Sequence, residues 1–331
     1  MNKIEYVKQA LSGEKMDTVP HSFWAHLPEI DRDPEKLAEG TYDMYKKYDL
    51  SVIKTMNNGM YMTEDHGTSV DYSEMSSGGV SILSETPIHT VDDWDKIQYT
   101  AIDEGALARE LKSLELLLDL VQGEAPVIFT VFSPLTTANK LSQGKVMEHL
   151  KEDEGKVIRA LEVLAKIGYD LSKKAIELGA AGVYFATQLA NYDSTSEEDY
   201  IKYGKTYDLQ VLEGAKDGWL NTLHIHGENA MFSVMQDYPT QVINWHVWES
   251  LPEIKEGIDF SGKTIMTGIL DKSVTEDDRN ALRNQIYHVL KDSGMRNVIL
   301  APTCVTRFPY DEATVEYIFD IKEQVENILN Q

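Results

Sequence analysis

What this chain lacks narrows its identity first. It has a single cysteine, Cys304, so no internal disulfide framework can hold it together, and that usage fits a reducing cytoplasm. It is short of positive charge: 31 Lys and Arg stand against 55 Asp and Glu, for a formal net charge of −24. A surface of that sign repels nucleic-acid phosphates and anionic lipid, so neither nucleic acid nor a membrane surface is an expected partner. It also argues against a heavily anionic substrate. No run of about 18 apolar residues occurs, so no membrane span is expected. The opening MNKIEYVKQALSGEK reads as an amphipathic helical extension and has no apolar core of the signal-peptide kind. Low-complexity tracts, Pro-rich linkers and close repeats are absent too, so residues 1–331 are expected to form a single domain.

What is present is a rhythm. Short apolar, β-rich runs recur at 19–26, 50–56, 126–132, 181–187, 220–226, 241–247, 263–269 and 297–302. Several are apolar almost throughout, as in PVIFTVF and NVILAP, which marks strands buried on both faces of a parallel sheet. Helical patterns fit 34–48, 103–121, 146–178, 196–217, 275–292 and 311–329. Thr195 with Glu198, and Thr275 with Asp278, have the spacing of capping boxes at two helix starts. Strands alternating with helices in this number close most economically into a (β/α)8 TIM barrel, an α/β fold, with the helical extension before it. An open doubly wound sheet is less suited, because no G-x-G-x-x-G follows any run. The polar stretch 57–90, with Gly78-Gly79, is too long for a simple connection and reads as an inserted hairpin near the barrel mouth.

Barrel chemistry collects at the C-terminal ends of the strands. His224 and His226 end the fifth run two residues apart, so their side chains share a face, and Gly227 then breaks the run. Cys304 follows the eighth run, in APTCVTR. Two imidazoles and a thiolate form a zinc set that leaves one position for substrate. The same residues also fit two satisfied core histidines and a small buried thiol, and spacing alone does not choose between these. Glu228 is placed to relay a proton or to serve as a solvated loop carboxylate. Trp24 and His26 after the first run, and His246 after the sixth, either wall a substrate or fill core. Tyr184 and Gln188, at the fourth, could orient a substrate by hydrogen bonds. Glu64, Asp65 and His66 look like a metal cluster on paper but are read as structural. Met56, Met60, Met62 and Met75 give the insertion an apolar surface that either receives a partner or packs on the barrel.

At these residues the sequence resembles the uroporphyrinogen decarboxylase superfamily, and within it the cobamide-dependent methyltransferase branch. VKQALSGEKMDTVP is similar to the family's opening, and FSPLTTANKL to the end of one of its strands. TIMTGILD and ILAPTCVTRFPYDEATVE follow in register over the final third. The resemblance covers nearly the whole chain and implies the same barrel. HIHGEN stands where the branch carries HICGN, so His226 replaces a cysteine of its H-x-C…C zinc motif, while His224 and Cys304 match the outer ligands. With one thiolate instead of two, the first shell keeps a charge of about +1, and the zinc is a stronger Lewis acid. SFWAHLPEI lacks the arginines with which the decarboxylases hold an acidic porphyrinogen, so that activity is not expected.

The resemblance thus implies a zinc-dependent methyltransferase that moves a methyl group between a small O-, N- or S-methylated substrate and a corrinoid (cobamide) brought by a partner protein. The ligands implied are His224, His226 and Cys304, with Glu228 managing the proton. A zinc lyase or hydrolase, and a barrel that only binds a ligand, are the rival readings. Barrel helices also offer faces on which a homo-oligomer can form.

Overall fold

The computed structural model describes residues 2–79 and 81–331; residue 1, and residue 80 within the expected insertion 57–90, lie outside it. Among the described residues nine strands form: β1 (Ile53–Lys54), β2 (Ser69–Asp71), β3 (Ile82–Glu85), β4 (Val127–Phe132), β5 (Gly182–Thr187), β6 (Thr222–Ile225), β7 (Val242–Trp245), β8 (Thr264–Ile269) and β9 (Val298–Pro302). Seven build one sheet in the order β1-β4-β5-β6-β7-β8-β9. Every pairing in it is parallel. The sheet curls into a half-barrel with helices between successive strands. From β5 to β9 every strand residue is buried. This is why the runs are apolar without alternation.

The first expected strand, 19–26, does not form regular sheet. It makes two isolated parallel bridges, His21 with Leu300 and Ala25 with Thr306. It nonetheless bonds to both edges of the sheet: Ser22 N–H donates to Leu300 O at 2.9 Å, and Ser51 N–H, just before β1, donates to His21 O at 2.8 Å. The segment 57–90 holds a short helix, Tyr61–Glu64, and the antiparallel pair β2–β3. Met56, Met60, Met62 and Met75 are all buried, so they pack inward and present no surface to a partner. Glu64 makes a bidentate pair with Arg109, both bonds 2.9 Å. Asp65 accepts from the N–H groups of Ala106 and Leu107 at the start of helix Gly105–Val121. Both acids are therefore structural.

Helix starts are set by side-chain caps, though not always the expected ones. Ser196, not Thr195, accepts from Asp199 N–H. Thr275 ends a short helix, Asp271–Thr275, and its hydroxyl donates back to Asp271 O. The next helix, Arg279–Asp292, is capped by Asp278 through Ala281 N–H. In both cases the residue adjoining the helix out-competes the hydroxyl farther out, since a cap must sit half inside the helix. The expected helix 146–178 breaks at Asp153, which leaves Val146–Glu152 as one helix and caps Glu154–Leu178 as another. Among the described residues no helix is long and apolar enough to cross a membrane.

One buried acid gives the fold a pH dependence. Asp208 accepts from the hydroxyls of Tyr200 at 2.7 Å and Tyr238 at 2.8 Å. Burial outweighs these bonds and pushes its carboxyl up to about 6. The folded state thus binds this proton more tightly than the unfolded chain does. Its contribution is fully favourable below about 4, the unfolded range, and is lost as pH rises through about 6, on the order of 3 kcal/mol. Asp208→Asn is expected to flatten the stability profile between those limits, as thermal melts across that range will show; an unchanged slope refutes the assignment.

Candidate metal centre

The four residues that matter converge at the C-terminal ends of the strands. His224 lies on β6, His226 directly after it, His246 directly after β7 and Cys304 two residues beyond β9. Their potential ligand atoms all lie within 4.8 Å of one another. Ring centroids are 5.9 Å apart for His224 and His226, 5.8 Å for His224 and His246, and 4.8 Å for His226 and His246. Cys304 Sγ is 3.6 Å from His226 Nδ1. His226 N–H still reaches Thr187 O on β5 at 3.0 Å, so the imidazole is held by sheet geometry although it is past the last strand residue. Gly227 then turns the chain away at φ 95°, a conformation glycine enters without Cβ strain.

The proton positions on two of these rings follow from their partners. Asn244, paired in register with His224 across β6 and β7, donates its amide N–H groups to the carbonyls of Met266 and Pro302. Carbonyls only accept, so the orientation of the amide is fixed and its Oδ1 faces the other way. That oxygen accepts from Tyr184 Oη at 3.0 Å and from His224 Nδ1 at 2.5 Å. His224 therefore carries its proton on Nδ1 and presents a bare Nε2. Likewise His246 Nδ1 lies 2.9 Å from Glu249 Oε2, an acceptor that fixes the same tautomer. Its Nε2 is buried and has no partner among the described residues. Burial, and then the neighbouring histidines, hold His224 well below the ordinary imidazole range. Burial also brings His226 down to about 4 and pushes the Cys304 thiol up to about 12. His224, His226 and Cys304 are thus neutral donors crowded together, the form in which imidazoles bind metal.

Other expected site residues fall around this set in distinct roles. Tyr184 stacks on His224, ring centroids 5.4 Å apart, and its hydroxyl donates to Asn244 Oδ1, so it braces His224. Trp24 is buried edge-on against Tyr184 at 5.5 Å, its indole N–H without an acceptor among the described residues. His26 is lowered to about 4 by burial and then by Lys54 and Arg307. Gln188 is half-buried, and its backbone N–H donates to Thr136 Oγ1. Glu228 is exposed and stands outside the cluster; the carboxylate that reaches the cluster is Glu249.

Sequence reasoning misses three residues as parts of the site. His246 is expected to touch substrate but joins the donor set. Asn244 and Lys54 are not singled out, although each is a polar interruption of an apolar run, in QVINWHV and LSVIKTM. Those interruptions are the signal that could have found them.

Comparison with known proteins bears on the family and the fold. The uroporphyrinogen decarboxylase (URO-D) family matches residues 4–324. Methylcobamide:CoM methyltransferase MtbA of Methanosarcina mazei is 23% identical over 207 residues, 62% of this chain and 60% of that protein. The same-named protein of Methanosarcina acetivorans is 21% identical over 248 residues, 75% of this chain and 72% of that one. The match to the M. mazei relative thus spans about three fifths of its length. Among solved structures, a methyltransferase from Methanosarcina mazei superposes with a TM-score of 0.84 at 16% identity, covering 98% of this chain and 99% of that one. A B12-independent methionine synthase from Shewanella sp. W3-18-1 gives 0.59 at 11% identity, covering 94% and 93%. At such identities the structural likenesses speak to the fold, which is of the TIM type.

Proposed function

This chain belongs to the uroporphyrinogen decarboxylase (URO-D) family, and from that premise we propose that it is a zinc-dependent methyltransferase moving a methyl group between a small methylated substrate and a corrinoid carried by a partner protein. We read the half-barrel, with segment 19–26 between its edges, as a single (β/α)8 domain that presents the site at its mouth. The relatives named as methylcobamide:CoM methyltransferases support the corrinoid and the methyl group.

The observation that carries the metal is the Nε2 of His246, buried without a partner among the described residues and facing three more donors. A buried acceptor without a donor is costly, and a cation there satisfies it. Imidazoles with one thiolate are a zinc set. His224, His226 and Cys304 would hold the ion and leave a position for substrate, with His246 beside it as a further donor. When bound, the zinc would supply a Lewis acid for the heteroatom that carries the methyl group, with more positive charge than a two-thiolate shell allows. The protein's own residues do the rest. Asn244 and Tyr184 lock His224 from within the core. Glu249 Oε2 holds the proton of His246 at Nδ1, the role near the cluster that the sequence suggests for Glu228. Glu249 is itself a surface residue, its side chain 37% exposed, so His246 is the more loosely tethered donor of the two. Porphyrinogen decarboxylation has no support here, because Trp24, Ala25 and His26 stand where cations for a polycarboxylate would be needed.

The partner has a surface to meet. A groove of about 610 Å3 opens on the loops after β5, β6 and β7, lined by Tyr192, Phe232, Leu251, Pro252 and Phe260. Leu251 is 72% exposed and Phe260 55%. Apolar exposure of this kind marks interaction sites more often than plain surface.

The test is direct. Purified protein is expected to carry close to one zinc per chain. Mixed with cob(I)alamin and a panel of methoxy, methylamino and methylthio compounds, it is expected to change the corrinoid absorbance with at least one donor. Zinc without any spectral change, in either direction of transfer and with any donor or thiol acceptor, overturns the methyltransferase reading.

A further inference from the structure

The groove on the loops after β5, β6 and β7 has a second property besides its apolar exposure. Segments 188–199, 226–235 and 246–261 build it, and they carry nine Asp and Glu against a single Lys. That is −8 of the chain's −24, in 38 of its 331 residues. The one cation, Lys255, is paired with Asp259 on its own helix, Ile254–Ser261. Glu256 and Asp259 line the groove, and no Lys or Arg does. The loop after β4 has the opposite sign, since 133–145 holds Lys140 and Lys145 and no acid. The acid therefore belongs to one side of the strand ends and not to the whole rim.

The walls of the groove are preset. Tyr192 Oη donates to Glu197 at 2.8 Å, Ala230 N–H to Ser250 Oγ at 2.8 Å, and Trp245 Nε1–H to Pro252 O at 3.1 Å. Phe232 packs edge-on against Trp245, ring centroids 5.2 Å apart, and lies 6.3 Å from Phe260. Apolar side chains held toward water in this way are unfavourable until something covers them. Charge decides what that is. A second copy of this chain would bring the same acids to the same place, and like charges across an interface are costly. Nucleic acid and anionic lipid are repelled for the same reason. A groove of about 610 Å3 takes the side chains of one helix face, in the manner of helix-in-groove recognition.

We propose that the groove receives an amphipathic helix of a partner protein, its apolar face seated on Leu251 and Phe260 and its flanking Lys or Arg set against Glu256 and the acidic run 193–199. The inference goes beyond the methyl-transfer reading, because it specifies the contacting segment of the partner whatever that partner carries. Such a contact lies close to the donor cluster along the chain: Glu249, which holds His246 at 2.9 Å, stands two residues before Leu251.

The test uses the full chain and labelled synthetic peptides, followed by fluorescence anisotropy at about 0.15 M salt. One peptide arranges leucine and lysine in amphipathic helical register; a second has glutamate for every lysine, and a third serine for every leucine. The leucine–lysine peptide is expected to bind about tenfold or more tightly than either of the others. Leu251→Ser combined with Phe260→Ser should weaken that binding about tenfold. Glu256→Gln should weaken it severalfold and reduce its salt dependence. Ile328→Ser, at an exposed apolar position on the last helix, Glu312–Leu329, is the control and should leave it unchanged. Leu251 and Phe260 are exposed, so the double variant should melt with the parent, and Leu251→Ser alone replaces it otherwise. Absence of binding at millimolar peptide, equal binding of the glutamate peptide, or an affinity untouched in the double variant overturns the proposal. So does a dimer of the parent in sedimentation that the double variant dissociates, which assigns the groove to a second copy. Methyl transfer without peptide binding removes only the docking face, and peptide binding without methyl transfer removes only the reaction.

Discussion

Cys304→Ser is expected to purify with less than about a tenth of a zinc per chain, and with methyl transfer reduced at least about a hundredfold, beyond the usual effect of losing a residue that only supports a ligand. The reason is charge. Cys304 is the one donor of the four that can bring a negative charge to the ion, and the other three are neutral imidazoles. The interior around it is hostile to a free thiolate, since burial pushes the thiol up to about 12. A cation is therefore what would hold the sulfur ionised there, and the sulfur is what would neutralise half of the cation. A serine hydroxyl does neither, and it leaves a doubly charged ion buried among neutral groups, a cost of several kcal/mol. The fold should tolerate the change, because the substitution is nearly isosteric and Cys304 is only partly buried. Elemental analysis after dialysis, beside a thermal melt, separates metal loss from unfolding. Stoichiometric zinc in folded Cys304→Ser removes the thiolate from the ligand set. The proposal for the metal falls altogether if the parent protein carries none.

Much of the fold and three of the four donors are legible in the amino-acid sequence, for a physical reason. Strands buried on both faces of a parallel sheet carry little polar signal, so PVIFTVF, AGVYFAT and NVILAP announce themselves. A histidine pair at the end of such a run, followed by Gly227, points into the mouth whatever the rest of the fold does. Adjacency between strands is not legible in this way. His246 lies 20 residues from His226, and nothing in that spacing says that β6 and β7 are neighbours with their ends level. Once they are, His224 faces Asn244 in register and His246 follows two residues on. The helix caps fail for a different reason, because adjacent hydroxyls and carboxylates compete for the same N–H groups and sequence spacing alone does not rank them. Lys54 is readable, as the one charge inside LSVIKTM, and easily overlooked.

Asn244→Ala is expected to be the most damaging single change in the barrel interior outside the ligands themselves. One amide on β7 bonds to Tyr184 on β5, His224 on β6, Met266 on β8 and Pro302 on β9. Alanine leaves two donors and two acceptors without partners where no exposed surface exists, since Asn244 is fully buried. At about 1–3 kcal/mol for each stranded group, and with partial relaxation, the loss is on the order of 4 kcal/mol or more. For a chain of this size that corresponds to roughly six degrees in melting temperature. A separate loss falls on the metal. Without Oδ1 to accept its Nδ1–H, the His224 ring is free to rotate or change tautomer, and zinc affinity should drop by about 10–100-fold. Asn244→Asp separates the two effects: it keeps an oxygen for His224 and Tyr184 but turns another toward the carbonyls of Met266 and Pro302. It should therefore melt nearly as low as the alanine variant while binding zinc more tightly than it. Melts of the chelator-stripped proteins measure the first effect, and competition with a chromophoric chelator, run below both melting points, measures the second. Folded Asn244→Ala with the zinc affinity of the parent would show that His224 needs no orienting partner, and with that the tautomer argument for the whole centre would fail.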